Sequence, residues 1–286
     1  MRVSMSGSTG LIGRELIDTY TDKGWIFRII NRDSFRLPDN EFLESKIEGA
    51  DAVINLAGAP VLKRWTKSYL KEIYNSRIET TRKIANAIIH AKVKPKVFIS
   101  GSATGIYDTL NVHADESTGY SDNFLGKVCR DWEAEALAAA ENTRLVVLRT
   151  GVVLSSKGGA LKAAYRPFSF GLGGIIGNGD QAFSWIHIRD LVHIYRMILE
   201  NENIRGVVNA VAPNPTTNYH FTKTFGKVLN QMTVFKIPLK VLKAIYGDAA
   251  STLTEGQNVI PEKLLKNGFE FEFPTIEKAL LNLYRI

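Results

Sequence analysis

A single cysteine, Cys129, stands in 286 residues. That excludes an internal disulfide and any cysteine-built metal centre, and it suits a reducing compartment of the cytoplasmic type. No apolar run approaches the roughly 18 residues that a membrane span requires, so no membrane partner is expected. The chain opens without a basic head and an apolar core behind it, so nothing there suggests export. Long blocks of like charge are missing too. The net charge of +7 is spread, with Lys63, Arg64, Lys67 and Lys71 along one helical face and Lys92, Lys94 and Lys96 around Pro95. Such dispersal reads as solvated faces, and neither a nucleic-acid partner nor a metal is expected. A hydrophobic share of 45% and a charged share of 23% describe an ordinary globular chain, long enough for one large domain or two joined ones.

What is present begins with the first residues. A strand signal at Val3 and Met5 runs into Gly7-Ser8-Thr9-Gly10-Leu11-Ile12-Gly13, and a helical pattern follows from Arg14. Strand, glycine turn and helix in that order form the context in which such a motif binds a nucleotide. One glycine permits the tight turn, one lets a phosphate approach bare backbone, and one lets the helix pack close to the sheet. The helix start offers unpaired N–H groups and a positive dipole end. The next strand, Trp25 to Ile30, ends in Asn31-Arg32-Asp33. An acid after this strand holds the ribose 2′-OH of NAD, whereas an arginine accommodates the 2′-phosphate of NADP. Asp33 keeps NAD open, and Arg32, nearer the strand end, favours NADP.

Further along, Asp51 to Gly58 reads as a strand ending in small residues, which let a cofactor lie against backbone. A long helix is expected from Thr66 to Ala91, a strand from Val97 to Ser100, and a loop over 108 to 125. A helix then carries Val128, Cys129 and Trp132 on one face, and Arg144 to Thr150 and Val207 to Val211 read as strands. The glycine-rich stretch after Leu154 reads as loop in its later part, from Gly171 on. Asp190 reads as the N-cap of a helix over Leu191 to Leu199. Pro261 and Gly268 bracket a short helix, and Phe269, Phe271 and Phe273 alternate with glutamates as in a half-buried strand. Alternating strands and helices imply an α/β fold, a Rossmann-type doubly wound parallel sheet. It is expected to comprise residues 1–155 and 186–211, with a smaller C-terminal α+β substrate lobe from 156–185 and 212–286.

The glycine turn, Asn55-Leu-Ala-Gly58, the Ser102 segment and Trp185-Ile-His-Ile-Arg-Asp190 together resemble the extended short-chain dehydrogenase/reductase superfamily. More narrowly, the chain resembles its atypical nucleoside-diphosphate-sugar epimerase-like branch. That narrower likeness rests on Ser76-Arg77-Ile-Glu-Thr-Thr81, Arg149-Thr-Gly-Val-Val-Leu154, Gly171-Leu-Gly-Gly174 and Val259-Ile-Pro261 followed by Asn267-Gly-Phe-Glu-Phe271. The resemblance implies bound NADP(H), with Gly7, Thr9, Gly10, Leu11 and Ile12 around the pyrophosphate and Asn31 and Arg32 at the 2′-phosphate. It implies Leu56, Ala57 and Gly58 along the cofactor's middle, Glu72 and Arg77 reaching it from the long helix, and Val153 near the nicotinamide.

The superfamily's Tyr-x-x-x-Lys pair moves a proton as hydride transfers, yet Leu125 and Cys129 stand at those two positions. The literal match at Tyr219 to Lys223 follows Pro213 and Pro215 and is read as accidental. Ser102, which matches the superfamily's serine, and Tyr107, the nearest tyrosine, are the catalytic candidates. His187 and Cys129 are read as packed and Lys127 as solvated. Two functions follow from the resemblance. One is an NADP(H)-dependent oxidoreductase or epimerase acting on a small polar substrate of the nucleotide-sugar kind. The other is a non-catalytic NADP(H)-binding redox sensor. A homodimer through the two long helices is the implied assembly.

Overall fold

The computed structural model describes residues 1–35, 41–109 and 113–284. Six strands form one all-parallel sheet: β1 (Arg2–Ser6), β2 (Ile26–Ile30), β3 (Ala52–Asn55), β4 (Val97–Ala103), β5 (Arg144–Thr150) and β6 (Gly206–Ala210). Their spatial order is β6-β5-β4-β3-β1-β2. The chain therefore leaves β1 for β2 on one side and returns for β3 on the other. The crevice between the carboxyl ends of β1 and β3 is the switch point where sheets of this kind take ligands.

Both faces of the sheet are covered, which is why β3, β4 and β5 read as nearly unbroken apolar runs. Helices α1 (Leu11–Tyr20) and α6 (Ile188–Glu200) close one face, burying Leu16, Ile194 and Ile198 against Met5, Ile54 and Val146. Helices α2 (Glu41–Ile47), α3 (Lys67–His90) and α4 (Phe124–Leu137) close the other with Leu43, Ile84, Ile88 and Ala136. A further core is built from α5 (Gly159–Ser169), α7 (Asn218–Val228) and the helix Ile276–Tyr284, around Phe168, Phe225 and Leu280. Helix α8 (Leu239–Tyr246) and the segment after it lie over the sheet's carboxyl end. Among the described residues no helix is long and apolar enough to cross a membrane.

Ahead of the part read as loop, the glycine-rich stretch holds α5, a helix of eleven residues that starts between Gly158 and Gly159 and carries Pro167. Two expectations are corrected. Residues Phe269 to Phe273 form no strand. Phe269 and Phe271 meet edge to face at 4.7 Å and pack on the core beneath α6, while Phe273 enters the other core. The backbone N–H groups of Glu272 and Phe273 donate to the Asp190 carboxylate at 2.9 and 3.0 Å, so one side chain takes the place of a partner strand. Asp190 is accordingly not the N-cap of α6. His187 is, its Nδ1 accepting from the Arg189 N–H at 3.1 Å.

The two buried groups respond to acid in opposite senses. Burial and the Arg189 cation push the His187 imidazole down to about 4, and burial pushes the Asp190 carboxyl up to about 6. As pH falls from 6.5 to 4 the unfolded histidine gains a proton that the folded one refuses, so His187 withdraws stability across that window. Asp190 gains its proton near 6 when folded but near 3.8 when unfolded, so it adds stability as pH falls through the same window. Replacing Asp190 by asparagine removes this offset. Urea unfolding at stepped pH should find that Asp190→Asn loses about 3 kcal/mol more than the native protein between pH 6.5 and 4. Parallel pH profiles for the two proteins would overturn the assignment.

Candidate functional site

Gly7–Gly10 alone connect β1 to α1. Gly7 has φ +71°, and a Cβ there would lie 2.6 Å from the carbonyl carbon of Leu56, so the turn and the exit of β3 pack backbone on backbone. A Cβ at Gly13 would lie 2.5 Å from the Gly7 carbonyl oxygen, which is how the first turn of α1 sits so close over the loop. Gly10 is the N-cap and no side chain caps the helix. The first-turn N–H groups and the positive dipole end therefore face the crevice unclaimed. Thr9 and Gly10 are exposed there, and Leu11 and Ile12 half-exposed. An ion pair of 2.8 Å between Lys157 and Glu15 pins the turn before α5 against α1.

At the end of β2, Asn31 accepts from both the backbone N–H and the hydroxyl of Ser34 at 3.0 Å. Its amide thus shapes the loop. Arg32 is exposed and has no ion-pair partner among the described residues. At the end of β3, Asn55 Oδ1 accepts from Ser6 at 2.6 Å and Asn55 Nδ2 donates to Thr81 at 2.7 Å, both buried. Ser76 accepts from the Ala59 N–H at 2.9 Å. Arg77 lies beneath Gly58, where a Cβ would be 3.0 Å from its guanidinium carbon. The polar members of Ser76 to Thr81 thus hold Asn55 to Ala59 in place from below, a role that spacing alone did not reveal.

Arg77 donates to the Ile73 carbonyl at 3.1 Å and lies 5.3 Å from the Trp132 ring, with no carboxylate partner among the described residues. Burial lowers its pKa. A mostly buried cation without an acid is poised for an anion or a polarised oxygen. Its cleft, about 740 Å³, lies between the strand ends and α8 and is lined by Arg77, Thr104, Leu125, Cys129, Trp132 and Lys243 among others. Glu72, expected to reach the cofactor with Arg77, is roughly 140° around the helix from it and is exposed in a separate groove with Lys63 and Arg64. Val153, expected near the nicotinamide, is half-exposed and packs on the same core as Ile12 and Leu56, and its strand neighbour Val152 faces the cleft.

A family model described as the NAD dependent epimerase/dehydratase family matches residues 3–210. The chain belongs to that family. A second model, described as a domain of unknown function (DUF1731), matches residues 237–283. The human epimerase family protein SDR39U1 is 38% identical over 288 residues, covering 98% of each chain. The epimerase family protein YfhF of Bacillus subtilis is 33% identical over 297 residues, covering 99% of this chain and 98% of that one. A crystal structure of human SDR39U1 (isoform 2) with NADPH superposes with a TM-score of 0.92 at 36% identity over 99% of each chain.

In this member of the epimerase/dehydratase family, α4 turns Leu125, Cys129 and Trp132 toward the cleft, and among them no tyrosine or lysine. Burial pushes the Cys129 thiol up to about 11, so it stays protonated and inert. Ser102 and Tyr107, the expected catalytic residues, do not line the cleft. The cleft wall at the end of β4 is Ala103, Thr104 and Gly105, while Ser102 lies behind it, 6% exposed, donating to Glu133 at 2.6 Å. Tyr107 is fully buried, donating to Asn209 at 2.7 Å and accepting from Arg149 Nη1 at 2.8 Å. Both belong to a polar network whose centre is the pair Arg149–Glu133, joined by two bonds of 2.8 and 2.7 Å. Neither Glu133 nor Arg149 was singled out as a site residue. Only a buried guanidinium needing an acid could have suggested them.

The remaining candidates are structural. Lys223 donates to the Thr233 carbonyl and Tyr219 is exposed on α7, and neither lines the cleft. Lys127 pairs with Asp131 at 3.1 Å on the outside of α4. Asp190, His193 and Glu272 bring ligand-type atoms together, but Asp190 already accepts two backbone N–H groups and Glu272 pairs with Arg189.

Proposed function

We propose that this protein binds NADP(H) across the β1–β3 crevice and is an oxidoreductase or epimerase acting on a carbonyl or hydroxyl compound in the adjoining cleft. The observation that carries this reading is the uncapped start of α1 over Gly7 to Gly13, beside a cleft of about 740 Å³. The residues fit the cofactor. A Cβ at Gly7 or Gly13 would collide with the backbone that shapes the turn, and Arg32 has no ion-pair partner among the described residues at the position where a 2′-phosphate would be met. NADPH in the human SDR39U1 crystal structure supports the same choice. Thr9 to Ile12 then hold the pyrophosphate, and Leu56 to Gly58 lie along the cofactor's middle.

When bound, NADP(H) supplies or accepts a hydride. The chain's own part is to place and polarise the reacting oxygen. Arg77 offers a desolvated cation and Thr104 a hydroxyl on the cleft wall, and the apolar faces of Leu125 and Trp132 exclude water around them. The second reading, a redox sensor without turnover, is favoured by one observation: neither Ser102 nor Tyr107 lines the cleft.

The test begins with Arg32→Ala. Loss of one charge-assisted phosphate contact should weaken NADPH roughly 10- to 100-fold and leave NADH unchanged, as read by nucleotide fluorescence titration. Equal losses for both nucleotides, or none, would remove Arg32 from the 2′-phosphate. Turnover of NADPH with a carbonyl panel separates enzyme from sensor.

A further inference from the structure

Next to the cleft lies a second chamber of about 330 Å³ inside the C-terminal part of the chain. The two share Thr104, Val152, Thr252, Glu255 and Gln257 as common wall. The far walls are hydrocarbon, from Leu154, Ala164, Phe168, Phe183, Ile237 and Leu253. Several polar side chains around it are turned into the wall itself. Gln181 donates to the Ile176 and Leu253 carbonyls, Ser184 donates to the Gln257 carbonyl, and Asn218 accepts from the Ile176 N–H. Among the described residues no lysine, arginine or histidine lines the chamber, and the one charged residue that does is an acid, Glu255, at the shared rim.

These walls decide what can enter. A nucleoside diphosphate carries its charge where it is bound and is held by arginine or lysine forks. In this chamber it would meet apolar surface and a carboxylate. A hydrocarbon segment would instead exchange water for close apolar contact.

We propose that the chamber holds the apolar portion of the substrate, so that the compound reacting in the cleft is an amphipathic carbonyl or alcohol rather than a nucleotide-sugar. The inference rests on the cleft being the NADP(H) reaction site. The polar end sits with Arg77 and Thr104, and the chain runs past Val152 and Thr252 into the chamber.

The test is a series of 2-alkanones, from 2-pentanone upward, titrated calorimetrically into protein loaded with NADP+, which has no hydride to give. Affinity should rise about fourfold per added methylene until the chamber is full, and UDP-glucose should not compete. Ala164→Phe fills the chamber and should flatten the series at shorter chain length, with NADP+ affinity unchanged. Ala163→Leu, a smaller change on the same lining, serves if the larger one unfolds. A flat series in the native protein, or displacement of the ketone by UDP-glucose, would overturn the proposal. Absence of NADP+ binding would overturn the cofactor reading instead, and the same series run on cofactor-free protein would still decide the chamber.

Discussion

Gly7→Val is expected to abolish dinucleotide binding and to cost roughly 2–5 kcal/mol of stability. Two independent penalties combine. Gly7 holds φ +71°, a conformation that costs an L-residue about 1–2 kcal/mol. Its Cβ would also be placed 2.6 Å from the Leu56 carbonyl carbon and 2.7 Å from the oxygen, where only backbone could yield. Any relief must push β3's exit away from β1, which opens the crevice and misdirects the first-turn N–H groups of α1. Gly24 provides the control. It has φ +81° but open space around it, so Gly24→Ala should cost only about 1 kcal/mol and leave NADPH titration unaltered. Urea unfolding and nucleotide fluorescence measure both effects. A Gly7→Val protein that still bound NADPH normally would place the phosphates elsewhere.

Glu133→Ala should lose roughly 3–5 kcal/mol, although Glu133 does not line the cleft. Arg149 is 1% exposed and takes both Glu133 oxygens in a forked pair. Truncating the acid leaves a desolvated guanidinium with the Tyr107 hydroxyl as its hydrogen-bond partner and the rings of Tyr107 and Tyr120 against it, and strands Ser102 as well. Replacing both partners, Glu133→Ala with Arg149→Met, should recover part of the loss, because the larger cost is the unpaired charge rather than the missing bond. The contrast is Lys127→Ala, which breaks the outer pair with Asp131 and leaves that acid its bond from the Tyr74 hydroxyl, and should cost at most about 1 kcal/mol. Equal losses at the two sites by urea unfolding would show that the network is not a structural keystone.

How much of this was legible differs by residue. The glycine turn was readable because each glycine answers a local demand, a positive φ or a close approach, and local demands leave a mark on local sequence. The same holds for β3 and β4, whose two-sided burial shows as apolar runs, and for Thr66 and Pro261 at helix starts. Phe269 to Phe273 misled because period-two alternation signals two faces, not a partner strand. Their backbone is satisfied by Asp190, 82 residues away from Glu272.

Sequence by itself determined the parallel sheet, the glycine turn at its switch point and the lack of a tyrosine–lysine pair on α4. Those follow from order, periodicity and residue type. Only the tertiary structure decided which polar groups face the cleft. Ser102 and Tyr107 look available on the chain, but Glu133 and Arg149 claim them across 31 and 42 residues. Burial of that one guanidinium forces the nearby hydroxyls to serve it, and leaves Arg77 as a buried cation on the cleft wall, without an acid partner among the described residues.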